Sequence, residues 1–192
     1  VPAPHLVVGY LAPYVDDLLA TTDYEDPGLH IAMLRAMFST LRAAQLYLKL
    51  PKCELMRREV TFLGFTVGGG QIRPDPDKLT ALSNWPTPKT VPQLRSWLGF
   101  VNYFRKHLPD YASLVRPLHA LTTKGAVYDW TDECQRCFDE LTRLLQQRPC
   151  LQLPRYDRPF VVVSDASTVG VGAALMQQHG DHLLPCSYFS RS

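Results

Sequence analysis

The chain has 192 residues, of which 46% are hydrophobic and 20% are charged, and its formal net charge is +2. This composition can build one or two small domains and excludes a disordered tail, while the near-neutral charge balance gives no general reason to bind a polyanion. The five cysteines lack disulfide-like spacing, and the sequence has neither a signal sequence nor a long apolar run. These features predict an intracellular protein without a membrane span.

The first predicted element is a β-hairpin that carries two adjacent carboxylates. Strand-like apolar residues occupy Leu6–Tyr10 and Leu18–Ala20, and Asp16 and Asp17 lie between them, at or near the turn. Burying two like charges among apolar residues is unfavourable unless a cation neutralises them. Two interpretations follow: an acidic turn exposed to water, or a seat for a hard divalent cation.

A helix and a second hairpin are predicted next. The helix begins at Pro27 with Asp26 as its N-cap. The apolar residues of its inner face are Leu34, Phe38 and Leu41. The hairpin covers Glu59–Asp75 as one alternating strand, a glycine turn at Gly68–Gly70 and a short return strand. Prolines on both sides of Leu79–Trp85 then indicate a subdomain boundary.

A capped, amphipathic helix is predicted over Val91–Leu108. Thr90 and Gln93 have the spacing of a capping box, and the helix ends before Pro109. At 3.6 residues per turn, the core side consists of Leu94, Trp97, Leu98, Val101, Phe104 and Leu108. The opposite side carries Arg95, Gly99, Asn102, Tyr103 and Lys106.

The last predicted elements are a helix and two strands. The helix begins after Thr131, and its apolar face consists of Cys134, Phe138, Leu141 and Leu145. Two strands joined by a tight turn follow, and the first of them ends in Asp165. Cys134 and Cys137 have a spacing found in zinc sites, but no second pair of ligands accompanies them, so we interpret them as structural.

Several motifs follow one order along nearly the whole chain. They are "YVDD" (Tyr14–Asp17), "LYLKLPKCEL", "VTFLGF", "IRPDPDKLTALSNWPTPKT", "LRSWLGFVNYFRKHLPDYA", "DWTDECQRCFDEL" and "PFVVVSDAS". In these motifs the chain resembles the C-terminal half of reverse transcriptases from gypsy-type LTR retrotransposons and retroviruses. The resemblance implies an α+β fold in three parts: the C-terminal part of the palm with its two hairpins over 1–75, a helical thumb over 76–150, and the opening strands of a ribonuclease H-like domain over 151–192.

The resemblance assigns roles to residues of the two hairpins. Asp16 and Asp17 would be the palm's paired metal-binding, catalytic aspartates, with Tyr14 and Val15 lying against the primer terminus. The hairpin around Leu63-Gly64-Phe65 would be the primer grip, which positions the 3′ end of the primer. From the residues alone, an ordinary core hairpin is an equal alternative.

The resemblance also concerns the polar side of the Val91–Leu108 helix, which would lie against the minor groove of a template–primer duplex. The residues implied are Arg95, Gly99, Asn102, Tyr103 and Lys106. A glycine inside a helix costs roughly 1 kcal/mol relative to alanine, so Gly99 favours the close approach of another backbone. The alternative is a solvated helix face with an incidental glycine.

Asp165 would be the first of several ribonuclease H carboxylates that bind two metal ions. Asp181 is the only acidic residue after it. Retroviral relatives have at this place a connection segment that lacks these carboxylates. The Asp-Ala-Ser sequence resembles the catalytic ribonuclease H domain of gypsy-type elements more than the retroviral connection segment.

These likenesses imply a piece of a retroelement Pol polyprotein. The parent enzyme would be an RNA-directed DNA polymerase with a ribonuclease H segment. It would use Mg²⁺ (or Mn²⁺), dNTPs and an RNA/DNA template–primer, beside other Pol segments, in the cytoplasm, a virus-like particle or the nucleus. Since the chain starts at Val1 and stops at "YFSRS", we expect it to lack the upstream palm aspartate and to be inactive alone. The alternative is a domesticated or decayed product that binds nucleic acid or another partner without catalysis.

Overall fold

The protein is described by a computed structural model over residues 9–22, 27–147, 149–168 and 170–191. It divides into two compact units, Val1–Phe62 and Leu63–Ser192. Both units combine helix with sheet, which confirms the predicted α+β class. Among the described residues, no helix is long and apolar enough to cross a membrane.

The first unit contains the acidic hairpin and one long helix. Its elements are β1 (Gly9–Tyr14), β2 (Asp17–Thr22), α1 (Pro27–Ala43), a 3₁₀ turn (Leu50–Lys52) and β3 (Glu59–Phe62). The predicted inner face of α1 is partly buried, but no residue of this helix is fully buried. A hydrogen bond of 3.0 Å between Thr22 Oγ1 and His30 Nδ1 ties α1 to β2. The predicted strand residues 6–8 and the N-cap Asp26 lie outside the described residues.

The second unit is built on four helices that share one core. They are α2 (Pro76–Ser83), α3 (Val91–Asn102), α4 (Tyr111–Ala120) and α5 (Asp132–Gln146). Both predicted apolar faces are buried in this core, with Leu94, Trp97 and Leu141 at 0% exposure. The rings of Trp97 and Phe138 join α3 to α5 at a centroid distance of 4.6 Å. The 3.6-residue periodicity therefore identified these two faces correctly.

Two antiparallel sheets complete the second unit. β4 (Phe65–Gly68), β5 (Gln71–Pro74) and β6 (Leu151–Gln152) pair in that order. β7 (Val161–Ser167), β8 (Gly170–His179) and β9 (His182–Arg191) form a three-stranded meander. The β9 strand packs against α4 and β6.

The capping prediction for α3 is confirmed, but the length prediction is wrong. The Thr90 hydroxyl accepts a hydrogen bond from Gln93 N at 3.4 Å, and the Gln93 side chain accepts one from Lys89 N at 2.8 Å. The α-helix ends at Asn102, and a 3₁₀ turn, Arg105–His107, takes the chain towards Leu108. The apolar periodicity continues through both segments, which is why the sequence indicates one helix.

Three further predictions need correction or completion. The alternating strand of the second hairpin is two strands, because the chain turns at Leu63–Gly64 between β3 and β4. The strand with Asp165 continues to Ser167. Finally, α4 and β9 were not predicted.

Candidate nucleic-acid interface

The acidic pair lies at the tip of a tight β-hairpin. Tyr14 pairs with Asp17, so Val15 and Asp16 form a two-residue turn. Val15 has φ +53°, a left-handed conformation that is costly for a β-branched residue. Its side chain is 94% exposed, and both aspartates are exposed as well. The first of the two interpretations, a water-exposed acidic turn, describes this geometry, and it leaves the carboxylates accessible to a cation.

The chemistry of these two side chains fits a hard divalent cation. Neither Asp16 nor Asp17 has a hydrogen-bond or ion-pair partner among the described residues, so their oxygens are available. Carboxylate oxygens are the ligands that such cations prefer. Within the same described residues, however, no group of three or more His, Cys, Asp or Glu side chains is placed to hold a metal ion. The pair is therefore a partial donor set.

In the second unit, the turn at Leu63–Gly64 packs on the C-terminal end of α3. The hydroxyl of Tyr103 donates a hydrogen bond to the carbonyl of Leu63. The ring of Phe65 stacks on Tyr103 at a centroid distance of 5.0 Å and on His107 at 5.0 Å. The structure thus brings together the predicted turn residues and Tyr103, a predicted residue that directly follows α3.

His107 belongs to this aromatic cluster, although the sequence did not single it out. Its side chain is 4% exposed, and among the described residues its ring has only a contact with the Ile72 backbone that falls short of hydrogen-bond geometry and opposes the effect of burial weakly. Burial lowers the pKa of His107 to about 4, because a charged imidazolium is disfavoured away from water. The ring is therefore neutral at physiological pH and acts as a flat apolar partner for Phe65.

The polar side of α3 and of the 3₁₀ turn after it is exposed, as predicted. Its exposed residues are Arg95, Gly99, Asn102, Tyr103 and Lys106. Arg95 also has an internal role, since its guanidinium donates to the carbonyl of Thr122 at 2.9 Å. The side thus presents to the solvent one guanidinium held by an internal hydrogen bond, one aromatic ring and one exposed lysine.

Gly99 leaves an open patch of backbone on this surface. A Cβ built on Gly99 would meet no atom within 4 Å among the described residues, so nothing described inside the molecule requires a glycine there. The helix nevertheless loses roughly 1 kcal/mol relative to alanine. The prediction for Gly99 is therefore unchanged: a binding partner approaches the helix backbone at this position.

Asp165 lies in the middle of β7 and is exposed. It pairs with Gly172 of β8, and its carboxylate accepts a hydrogen bond of 2.9 Å from the backbone N–H of Ala166. In the described part of the chain, no further carboxylates complete a metal-binding group around it. Whether Asp165 is catalytic is therefore still a prediction.

Lys78 is a second residue that sequence reasoning missed. It lies in the first turns of α2, and its ammonium is 5.3 Å from the centroid of the Tyr103 ring. Its side chain also passes directly beside Gly64. No sequence signal could have found this contact, because it joins three segments that are distant in the chain.

Two families match separate parts of the chain. Residues 8–67 match the family described as reverse transcriptase (RNA-dependent DNA polymerase). Residues 130–192 match the RNase H-like domain found in reverse transcriptase. The chain therefore carries one segment that matches reverse transcriptases and one that matches the RNase H-like domain found in them, and its mixed helix and sheet agree with both matches.

The similar proteins are retroelement polyproteins. The chain is 35% identical over 179 residues to a retrovirus-related Pol polyprotein from transposon 412 of Drosophila melanogaster. The matched region is 93% of this chain and 14% of that polyprotein. It is 30% identical to the transposon Tf2-3 polyprotein of Schizosaccharomyces pombe, covering 92% of this chain and 13% of the polyprotein. The chain therefore corresponds to one Pol segment and spans less than a fifth of these two relatives.

Solved structures of similar fold come from foamy virus. The protease-reverse transcriptase dRH in complex with double-stranded DNA has a TM-score of 0.78 at 28% identity, over 94% of this chain and 32% of that one. The same kind of enzyme in complex with an RNA/DNA hybrid has a TM-score of 0.76 at 28% identity, over 94% of this chain and 24% of that one. These likenesses confirm the predicted reverse-transcriptase fold.

Proposed function

We propose that this chain is the part of an RNA-directed DNA polymerase that carries its paired metal-binding aspartates and its primer-holding surface. The strongest support is the tip of the β1–β2 hairpin, where Asp16 and Asp17 are exposed beside a strained Val15. Strained backbone is kept where the surrounding structure and the function require it. The family match over residues 8–67 includes this tip.

Divalent metal ions are the expected cofactors, as they are generally for these families, and we propose Mg²⁺ or Mn²⁺. Asp16 and Asp17 would hold them through carboxylate oxygens. The bound ions would activate the primer 3′-hydroxyl and stabilise the leaving pyrophosphate of a dNTP. Tyr14 and Val15, exposed beside the pair, would lie against the primer terminus.

The second unit would hold the template–primer. The Leu63-Gly64-Phe65 turn would act as primer grip. The exposed side of α3 and of the residues that follow it would face the duplex through Arg95, Gly99, Asn102, Tyr103 and Lys106. Support comes from the contacts of Tyr103 and Phe65, which place the turn beside this side of the helix. The foamy viral enzymes of similar fold are described in complex with double-stranded DNA and with an RNA/DNA hybrid. By analogy we propose the same classes of nucleic acid here.

We further propose the division into palm (1–75), thumb (76–150) and RNase H-like segment (151–192), in an intracellular protein that works beside other Pol segments. Along the chain, the boundary between the two compact units falls between residues 62 and 63, inside the proposed palm segment. In the RNase H-like segment, Asp165 would bind a metal ion with carboxylates supplied by other segments. A chain without those partners would not cleave a hybrid.

A primer-extension assay tests the polymerase proposal. The 192-residue chain should be inactive with Mg²⁺, dNTPs and a primed template, whereas a longer polypeptide with the remaining palm aspartate should extend the primer. Asp16→Asn in the longer chain should lower extension to background and leave duplex binding intact. The matched control is Asp181→Asn, which removes an exposed acid at the β8–β9 turn and should retain activity.

The same assay separates the polymerase from the alternative, a non-catalytic binding module. The partial donor set at Asp16 and Asp17 is the observation that favours the module. A longer chain that binds a duplex but never extends a primer would support the module. Extension that survives Asp16→Asn would remove this residue from the site.

A further inference from the structure

A lysine from α2 reaches into the proposed primer-holding surface. The side chain of Lys78 runs past Gly64 of the turn, and its ammonium lies over the Tyr103 ring, 5.3 Å from the centroid. The same Tyr103 donates a hydrogen bond to Leu63. One lysine thus contacts both the turn and the end of α3.

Gly64 leaves the space that this lysine occupies. A Cβ at position 64 would lie 3.0 Å from Cδ of Lys78 and 3.2 Å from its Nζ, with Cε closer still. Any other residue at position 64 would therefore push the lysine away from the turn. Its φ of +71° is a second reason for glycine, since that conformation is strained for other residues.

The ammonium of Lys78 lies over the face of the Tyr103 ring. Among the described residues, it has no carboxylate within ion-pair distance. The side chain is partly buried, with its aliphatic stem beside Gly64 and its ammonium over the ring, which is how a lysine covers apolar surface while its charged end stays near water. A lysine charge beside the backbone of a turn is suited to bind a phosphate.

We propose that Lys78 binds a backbone phosphate of the nucleic-acid strand that passes the Leu63–Gly64 turn, and that Gly64 is glycine partly to admit this lysine. The inference rests on the proposed function, because it assumes that the turn faces nucleic acid. It adds α2 to the two elements of the proposed surface, and it assigns to Lys78 a positioning contact that carries no sequence information.

The salt dependence of duplex binding by the 192-residue chain tests this inference. Each lost phosphate contact reduces the slope of log K against log salt concentration by about 1. Lys78→Met keeps the aliphatic stem, so it should preserve the fold while reducing the slope by about this amount, equally for duplexes of different sequence. The control Arg143→Ala removes the same charge from α5, where Glu140 pairs with it at 2.7 Å, and should leave the slope unchanged.

A second pair of variants tests the role of Gly64. Gly64→Ala should weaken binding, and the loss should disappear when Lys78 is already methionine, because the alanine acts by displacing the lysine. Gly70→Ala is the matched control: its φ is +74°, but no neighbour lies within 4 Å of its Cβ position among the described residues. It shares the backbone strain and should leave affinity unchanged.

The outcomes separate the inference from the function on which it rests. A wild-type chain that binds duplex with a slope that Lys78→Met does not change would overturn the inference and leave the proposed function standing. Equal losses from Gly64→Ala with and without Lys78 would overturn the role given to Gly64. A wild-type chain that binds no duplex would overturn the proposed surface, and the inference with it.

Discussion

The phenol of Tyr103, just after the last residue of α3, donates a hydrogen bond to the backbone carbonyl of Leu63. Leu63 has φ +48°, a left-handed conformation that costs a residue other than glycine roughly 1–2 kcal/mol. The hydrogen bond and the stacking of Phe65 on Tyr103 offset this cost. The end of the helix therefore holds the turn in its strained shape, and the two features form one surface.

Removing the Tyr103 hydroxyl should destabilise the protein. Tyr103→Phe keeps the ring and its stacking on Phe65 but leaves the Leu63 carbonyl without this donor, so the free energy of unfolding should fall by about 1 kcal/mol. Urea denaturation followed by circular dichroism measures the change. Tyr47→Phe is the control, since that side chain is 90% exposed; equal midpoints for both variants would rule out a stabilising role for the hydroxyl.

Gly99→Ala should separate stability from binding. Because a Cβ there meets no described atom within 4 Å, alanine should raise the free energy of unfolding by about 0.5–1 kcal/mol through its better helix propensity. If a duplex approaches the bare backbone, the same variant should bind it more weakly. Thermal melts and fluorescence anisotropy measure the two effects. A more stable variant with unchanged duplex affinity would favour the incidental glycine.

The buried His107 should make the protein less stable in mild acid. Its folded-state pKa of about 4 lies below the ordinary 6.5, so the unfolded chain takes up the proton first. The stabilising contribution is therefore complete above pH 6.5 and is lost as the pH falls from 6.5 towards 4, in total about 3 kcal/mol. Cys150 and Tyr188, which line a cavity with His107, are neutral over this range, and burial raises the pKa of both still further above it.

The variant His107→Phe isolates this effect. It keeps a flat ring beside Phe65 but cannot be protonated, so its free energy of unfolding should change less between pH 7 and pH 5 than that of the wild type. Urea titrations at the two pH values give the comparison. The same loss of stability in both proteins would assign the acid sensitivity to other groups.

Ser190 should anchor α4 to the RNase H-like sheet. Its hydroxyl accepts a hydrogen bond of 2.9 Å from Ala112 N in the first turn of α4, and Asp110, the residue before the helix, makes no side-chain cap of its own. Ser190→Ala should therefore cost about 1 kcal/mol, as the loss of a helix cap does. Ser187→Ala, on the same strand, is the control in a thermal melt. Melting temperatures that do not differ would show that the contact contributes no stability.

Local chemistry explains which elements the sequence could predict. The apolar faces of α3 and α5 follow from 3.6-residue periodicity, and the start of α3 follows from the Thr90 cap. The acidic hairpin was predictable because apolar runs flank Asp16 and Asp17. The α4 helix was missed because Pro117 lies inside it and interrupts the helical pattern. In addition, Asp110 before the helix has a left-handed backbone and makes no side-chain cap, so its start carries no clear signal.

Contacts between distant segments explain what the sequence could not predict. Lys78, Gly64 and Tyr103 meet only after α2, the turn and α3 have packed together. Likewise, Arg95 was predicted as part of the exposed side, but its bond to Thr122 depends on the chain beyond α4. Periodicity assigns a residue to a face of its own helix and carries no information on which other segment it meets.

Crosslinking to a duplex tests most directly that the Leu63-Gly64-Phe65 turn and the exposed side of α3 form one nucleic-acid surface. An azidophenacyl group on a backbone phosphorothioate, placed at successive positions of a template–primer, labels the residues beside that backbone when irradiated. Mass spectrometry of the 192-residue chain should find the label in peptides that contain residues 63–65, 78 or 95–106. Labelling confined to other exposed aromatic positions, such as Tyr47 and Tyr156, would contradict the account.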